Sequence, residues 1–173
     1  FAGVSETALG AERVTAETSR LLKQAPPGIL ISSACPSAVD YIRKYRPELT
    51  SNIAGLHSPL MAHAAMLRQW FGEDIRVVFI GPCVAKKNES DDFNSLIDAA
   101  LTFKDLRAWF EEEGILPGLV RMNVPAEFVP FSAADGALYP LDGGMTTTLR
   151  NVVSLPDVSY MHISGMENIK AAL

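Results

Sequence analysis

The chain has 173 residues, 15 Lys and Arg against 20 Asp and Glu for a net charge of −5, and a composition 48 % hydrophobic and 20 % charged. Such a chain can bury a core without disulfide staples and is not disordered over most of its length. Two cysteines exclude a disulfide scaffold, the lack of a basic run speaks against nucleic acid, and no apolar stretch approaches the roughly 20 residues of a membrane helix. The start at Phe1 lacks the charged n-region of a secretory signal, so a cytoplasmic location is expected. Both ends read as cut, with no initiator Met and a closing amphipathic run, Met166 to Leu173, that stops in mid-pattern.

Ala8 to Gln24 carries Leu9, Val14, Leu21 and Leu22 at helical spacing, and Ala25-Pro26-Pro27-Gly28 stops it. Gly28 to Ser33 is a short apolar run read as a strand buried on both faces. Val39, Ile42 and Tyr45 predict a helix opened by Pro36 and ended by Pro47; Ser58-Pro59 opens another, Leu60 to Phe71, with Gly72 as its C-terminal cap. Ile75 to Ile80 is a second buried strand, Asn88 to Asp98 a polar loop, and Ala99 to Phe103 a third strand. That strand leads into a helix, Lys104 to Glu113, with Leu106, Trp109 and Phe110 inward. This alternation predicts an α/β class, a parallel sheet flanked by helices, over residues 1–113. Residues 114–173 read as the start of a second lobe. There Pro117, Pro125 and Pro130 break regularity, Asp142-Gly143-Gly144 precedes a helix from Met145 to Val153, and Val158 to Ile163 alternates as a strand before the last helix.

Cys35-Pro36 and Pro82-Cys83 each follow a predicted buried strand, the edge at which open α/β sheets bind ligands. Adjacent parallel strands would bring the two thiols close together. Both cysteines being small buried hydrophobes, a disulfide, or a shared soft-metal or iron–sulfur site are the readings open to them. Lys86 and Lys87, three and four residues after Cys83, favour the last, since a cation nearby offsets a thiolate or an anionic ligand.

Ser32-Ser33-Ala34-Cys35-Pro36 resembles the first, Thr-Ser-Cys-Cys-Pro, signature of iron-only hydrogenases, and Pro82-Cys83-Val84-Ala85-Lys86-Lys87-Asn88-Glu89 resembles their second, Pro-Cys-x-x-Lys-Lys-x-Glu. Tyr45 to Leu49, Ser58-Pro59, Ala100 to Leu106 and Gly143-Gly144-Met145 are similar to further segments of that family. The resemblance implies one lobe of the iron hydrogenase fold and an H-cluster in the full-length protein, a 4Fe–4S cubane joined to a di-iron subcluster carrying CO and cyanide. It implies Cys35 and Cys83 as two of the four cubane ligands and Lys86 as the hydrogen-bonding partner of a cyanide. A third motif, Cys-x-x-x-Cys, would follow a segment like Gly165 to Lys170 and is absent, so this piece alone is expected to be inactive, with empty thiols.

The resemblance has gaps on the proton path. Ala34 stands where the family has a proton-passing cysteine, Val14 where it has an outer relay glutamate, and Ala54 where it has a relay serine; Glu17 occupies the place of a relay glutamate. Gly81 replaces a methionine, Leu60 a glutamine, and Tyr139 stands at the cluster-side aromatic. Cluster ligands kept and proton traffic damaged suit low turnover, either reversible reduction of protons to H₂ or sensing of H₂ or redox state. The implied partners are protons and H₂, a ferredoxin-like donor or attached iron–sulfur domains, and a PAS or kinase signalling module. The alternative is a non-catalytic iron–sulfur protein of the same superfamily acting in cluster assembly or signalling. His57, His63 and His162 read as surface or satisfied core histidines, Met61 and Met66 as packing, Glu111 to Glu113 as solvated charge, and Asp142 as turn chemistry.

Overall fold

The computed structural model describes residues 1–24, 27–92, 96–120 and 127–172. Its elements in chain order are α1 (Ala8–Gln24), α2 (Pro36–Tyr45), α3 (Pro59–Phe71), β1 (Val78–Gly81), α4 (Ala85–Asp92), β2 (Ala99–Thr102), α5 (Phe103–Glu112), α6 (Gly144–Val152) and α7 (Met166–Ala172). Short 3-10 turns cover Pro47–Asn52, Pro117–Leu119 and Asp135–Leu138. The helices and the parallel pairing bear out the α/β reading. The chain divides into two compact units, one of Phe1–Ser5 with Ala64–Ser132 and the other of Glu6–His63 with Ala133–Leu173. This division differs from the boundary expected at residue 113, because the chain returns to α1 after residue 132.

The first unit, which holds Cys83, is built on β1 and β2, paired in parallel with Val78 opposite Ala99 and Gly81 opposite Thr102. A parallel pair needs a crossover, and α4 lies on that connection. Here the expected loop from Asn88 to Asp98 is helical as far as Asp92, while 93–95 lie outside the described residues. Arg68, 8 % exposed, fastens the end of α3 to the strands. Its guanidinium donates to the Leu96, Glu73 and Ile75 carbonyls at 3.1, 2.7 and 3.2 Å and to Asp98 Oδ2 at 3.2 Å. α5 starts with a capping box in which the Thr102 hydroxyl accepts from Asp105 N–H and the Asp105 carboxylate accepts from Thr102 N–H. Of its expected inward residues, Leu106 and Phe110 are half-buried, whereas Trp109 is exposed and meets Phe1 edge-on at 6.0 Å. Pro125, expected as a breaker, lies within 121–126, outside the described residues.

In the second unit, which holds Cys35, α1 spans the predicted residues and buries Leu9, Ala11, Val14 and Thr15. The same core takes Val39 and Ile42 from α2, Leu60 and Met61 from α3 and Leu149 from α6. Gly10 lets α1 and α3 meet closely, since a Cβ there would overlap the Pro59 carbonyl oxygen. Ser58 opens α3, its hydroxyl accepting from Met61 N–H at 3.4 Å. Ala25 and Pro26 of the predicted stop lie outside the described residues. Two predicted strands do not form. Gly28 to Ser33 makes only an isolated parallel bridge, Ile31 to Ile53, and Ile29 is 68 % exposed, so no sheet covers its faces. Val158 to Ile163 has no ladder partner among the described residues and leaves Met161 exposed. Alternating apolar residues mark a strand only where a neighbour supplies hydrogen bonds.

Candidate functional site

Cys35 closes a loop built by side chains remote in sequence. Ser33 donates its hydroxyl to the Leu56 carbonyl at 2.7 Å, and Ser32 donates to Met145 Sδ at 3.2 Å while its oxygen accepts from Ala34 N–H at 3.2 Å. Cys35 itself is the N-cap residue of α2, in extended backbone with Pro36 following, and its side chain makes no capping bond. The sulfur is exposed and free, at the positively polarised end of a helix. In the other unit Cys83 follows β1 and starts the turn into α4, where the Lys86 N–H donates to its carbonyl at 3.2 Å. It too is exposed and free. These placements correct the buried-hydrophobe and disulfide readings. They also replace the expected single lobe, because only Cys83 sits at the end of a sheet strand and the two cysteines belong to different units.

Beside Cys83, Lys86 and Glu89 form an ion pair at 2.7 Å with side chains only 13 % and 12 % exposed, so the ammonium is held in a defined place. Lys87 pairs with Asp105 at 2.6 Å. That ammonium, with bonds from Thr102, holds the Asp105 carboxyl well below the usual carboxylate range. The two lysines after the cysteine thus do different work, one beside the candidate ligand and one tying α4 to the start of α5. Gly81, where the family has methionine, is buried against the ring of Phe79. Among the described residues, no three His, Cys, Asp or Glu side chains come together as a metal site.

The residues on the resembled proton path are placed without a chain of exchangeable protons. The Ala34 methyl precedes Cys35, Ala54 is buried with its N–H bonded to the Ile31 carbonyl at 2.7 Å, and Val14 is a core residue, as is Leu60, which stands for the family's glutamine. Glu17 lies between Arg13 and Arg20, each 2.9 Å away, one on each oxygen. The Arg20 hydrogen bond is the main cause that lowers its pKa, so it is a solvated, ionised surface group. Tyr139 is half-buried with its hydroxyl 2.9 Å from Thr15 Oγ1, and burial pushes its phenol upward. Of the histidines, His63 is 4 % exposed and burial lowers its pKa to about 4, whereas His162 is exposed near Asp142 at 3.7 Å. The Ser32 to Met145 contact, between residues 113 apart, carried no local signal in the sequence.

All 173 residues match the family described as iron-only hydrogenase large subunit, C-terminal domain. The chain belongs to that family. It is 27 % identical, over 93 % of its own length and 42 % of the relative's, to the periplasmic Fe hydrogenase large subunit of Nitratidesulfovibrio vulgaris. Among solved structures it is similar to an FeFe hydrogenase studied for stepwise H-cluster assembly, with a TM-score of 0.67 at 26 % identity over 96 % of this chain and 48 % of that one. A single-residue variant of an FeFe hydrogenase from Chlamydomonas reinhardtii gives 0.68 at 25 % identity, with the same coverage. The chain thus spans a little under half the length of these relatives. The family membership makes it an FeFe-hydrogenase-like H-cluster domain, and its helix-rich architecture with a small parallel sheet is that fold.

Proposed function

We propose that Cys35 and Cys83 are two thiolate ligands of a 4Fe–4S cubane, with Lys86 beside the di-iron subcluster, in a protein of low hydrogen turnover that works as a slow hydrogenase or as a sensor of H₂ or redox state. The donor chemistry fits. Both cysteines are exposed and unbridged, each lies just before a helix, and an anchored ammonium stands three residues after one of them. When bound, the H-cluster supplies the redox centre at which two protons, two electrons and H₂ interconvert. The chain's own part is to hold the thiolates, to set the Lys86 ammonium through Glu89, and to deliver protons.

Proton delivery is the step these residues perform poorly, and Ala34 is the observation that carries the low-turnover reading. A methyl group next to a ligand has no proton to give, and Ala54 and Val14, at the other relay positions, offer none. Electrons come from a ferredoxin-like donor or attached iron–sulfur domains, and the output of a sensor would be a PAS or kinase module. No helix among the described residues is long and apolar enough to cross a membrane. We place the protein in the cytoplasm, which fractionation of the natural host tests against the periplasmic naming of the relative.

The deciding experiment restores the missing thiol. Ala34→Cys, in the anaerobically matured full-length protein, should raise H₂ evolution by about 10²-fold or more, the usual worth of a positioned proton donor. An unchanged rate, with infrared CO and cyanide bands present in both proteins, sinks the relay argument. A cubane signal in electron paramagnetic resonance without those bands favours the non-catalytic iron–sulfur protein instead.

A further inference from the structure

We propose that Glu12, seconded by Glu6, is a positioning residue for the Cys35 loop, acting through the segment 133–145; the proposal rests on the reading of Cys35 as a cluster ligand. Both glutamates lie outside the resembled motifs, and all the residues involved belong to one unit. Glu12 Oε1 accepts two backbone N–H groups, from Ala134 at 2.6 Å and Gly136 at 3.3 Å. Glu6 Oε2 accepts Ala133 N–H at 2.8 Å. Bonds from backbone amides to a carboxylate are charge-assisted, and these hold three of the four residues 133–136.

From the other side α6 holds the same turn, Thr148 donating its hydroxyl to the Asp135 carbonyl at 3.1 Å and Asn151 its amide to Asp135 Oδ2 at 2.8 Å. Two glycines make the stack rigid. A Cβ at Gly136 would overlap the Ala8 carbonyl oxygen of α1, and one at Gly144 would overlap the Leu138 carbonyl oxygen. With Leu138 against Gly144, the turn that Glu12 grips sets the first residues of α6. The second of these is Met145, whose sulfur accepts the Ser32 hydroxyl, and that hydroxyl oxygen in turn takes the Ala34 N–H. The sequence of contacts therefore runs from the α1 carboxylates to the residue preceding Cys35. Displacing the 133–136 turn shifts Met145 and frees Ser32, and the thiol loses its fixed approach.

The test is hydrogen exchange on the full chain without iron, comparing Glu12→Ala, Glu12→Gln and Met145→Leu. In Glu12→Ala, exchange should rise about tenfold at 133–136 and also at 32–35, with 78–83 in the other unit unchanged, the size expected for losing bonds to a charged acceptor. Glu12→Gln keeps an accepting oxygen and should stay within about threefold of the parent at both segments. Met145→Leu cuts the last link without touching the glutamate and should loosen 32–35 alone, which keeps the proposal testable if Glu12→Ala fails to fold. A rise confined to 133–136, a rise spread equally to 78–83, or no effect of Met145→Leu at 32–35 each overturns it. In iron-loaded protein the line shape of the cubane resonance should change in Glu12→Ala and return in Glu12→Gln. Iron content of the full-length parent protein tests the ligand reading separately, so failure of that reading is told apart from failure of the link.

Discussion

The two cysteine segments are held by different kinds of order. Around Cys83 the fixing interactions are near in sequence: a parallel pair of strands, a helix that starts two residues later, a Lys86 to Glu89 pair one turn long, and Lys87 on the cap of the next helix. Around Cys35, Ser33 reaches the Leu56 carbonyl over 23 residues, about the separation of the paired strands, but Ser32 reaches Met145 over 113. A ligand set by local contacts survives damage elsewhere in the chain; one set by remote contacts depends on the whole of its unit.

The largest test of this contrast is removal of the ligands. If the proposed ligation holds, Cys35→Ser and Cys83→Ser should each abolish the cubane absorbance and resonance in the matured full-length protein, since a hydroxyl is a poor substitute for a thiolate at iron. Retention of full iron in either variant breaks the equivalence assumed for the two thiols.

A second test uses glycines. Gly144→Ala in the Cys35 unit places a methyl on the Leu138 carbonyl and should cost about 1–3 kcal/mol. Gly114→Ala in the Cys83 unit has open space but a φ of +65°, and should cost only about 1 kcal/mol. Urea unfolding can follow each unit alone, because both tryptophans, Trp70 and Trp109, lie in the Cys83 unit while all four tyrosines lie in the other. Tryptophan fluorescence should hardly move in Gly144→Ala; equal shifts in both signals break the contrast.

The smallest effect is on pH. His63, buried in the Cys35 unit, has its pKa lowered from 6.5 to about 4. The unfolded chain therefore takes up a proton first, and stability present above pH 6.5 is lost as pH falls toward 4, on the order of 3 kcal/mol in all. In the Cys83 unit, Arg76 holds the Asp98 carboxyl low, and Lys87 does the same for Asp105. Their contribution is intact above the ordinary value of 3.8 and disappears only below it. Tyrosine signals should thus weaken at a higher pH than tryptophan signals, and His63→Gln should remove the difference. Coincident transitions in the parent protein count against it.

Much of this was written locally. The spans of α1, α2, α3 and α5 followed from apolar spacing, from Pro36 and Pro59 at helix starts, and from Gly72, whose φ of +95° ends α3. The two cysteine motifs that carry the family likeness were legible because a motif lies in consecutive residues. The run from Gly28 to Ser33 and the alternation from Val158 to Ile163 misled, since a strand is made by its neighbour and neither segment has a full one.

What the amino-acid order determined alone was most of the helices and the family. Tertiary structure decided which side chains hold the Cys35 loop, and that α1, the 133–138 turn and α6 form one stack in that unit. The physical reason is range. Helical periodicity and side-chain chemistry are encoded within a few residues, whereas a hydrogen bond between positions 32 and 145 exists only after the chain between them has folded.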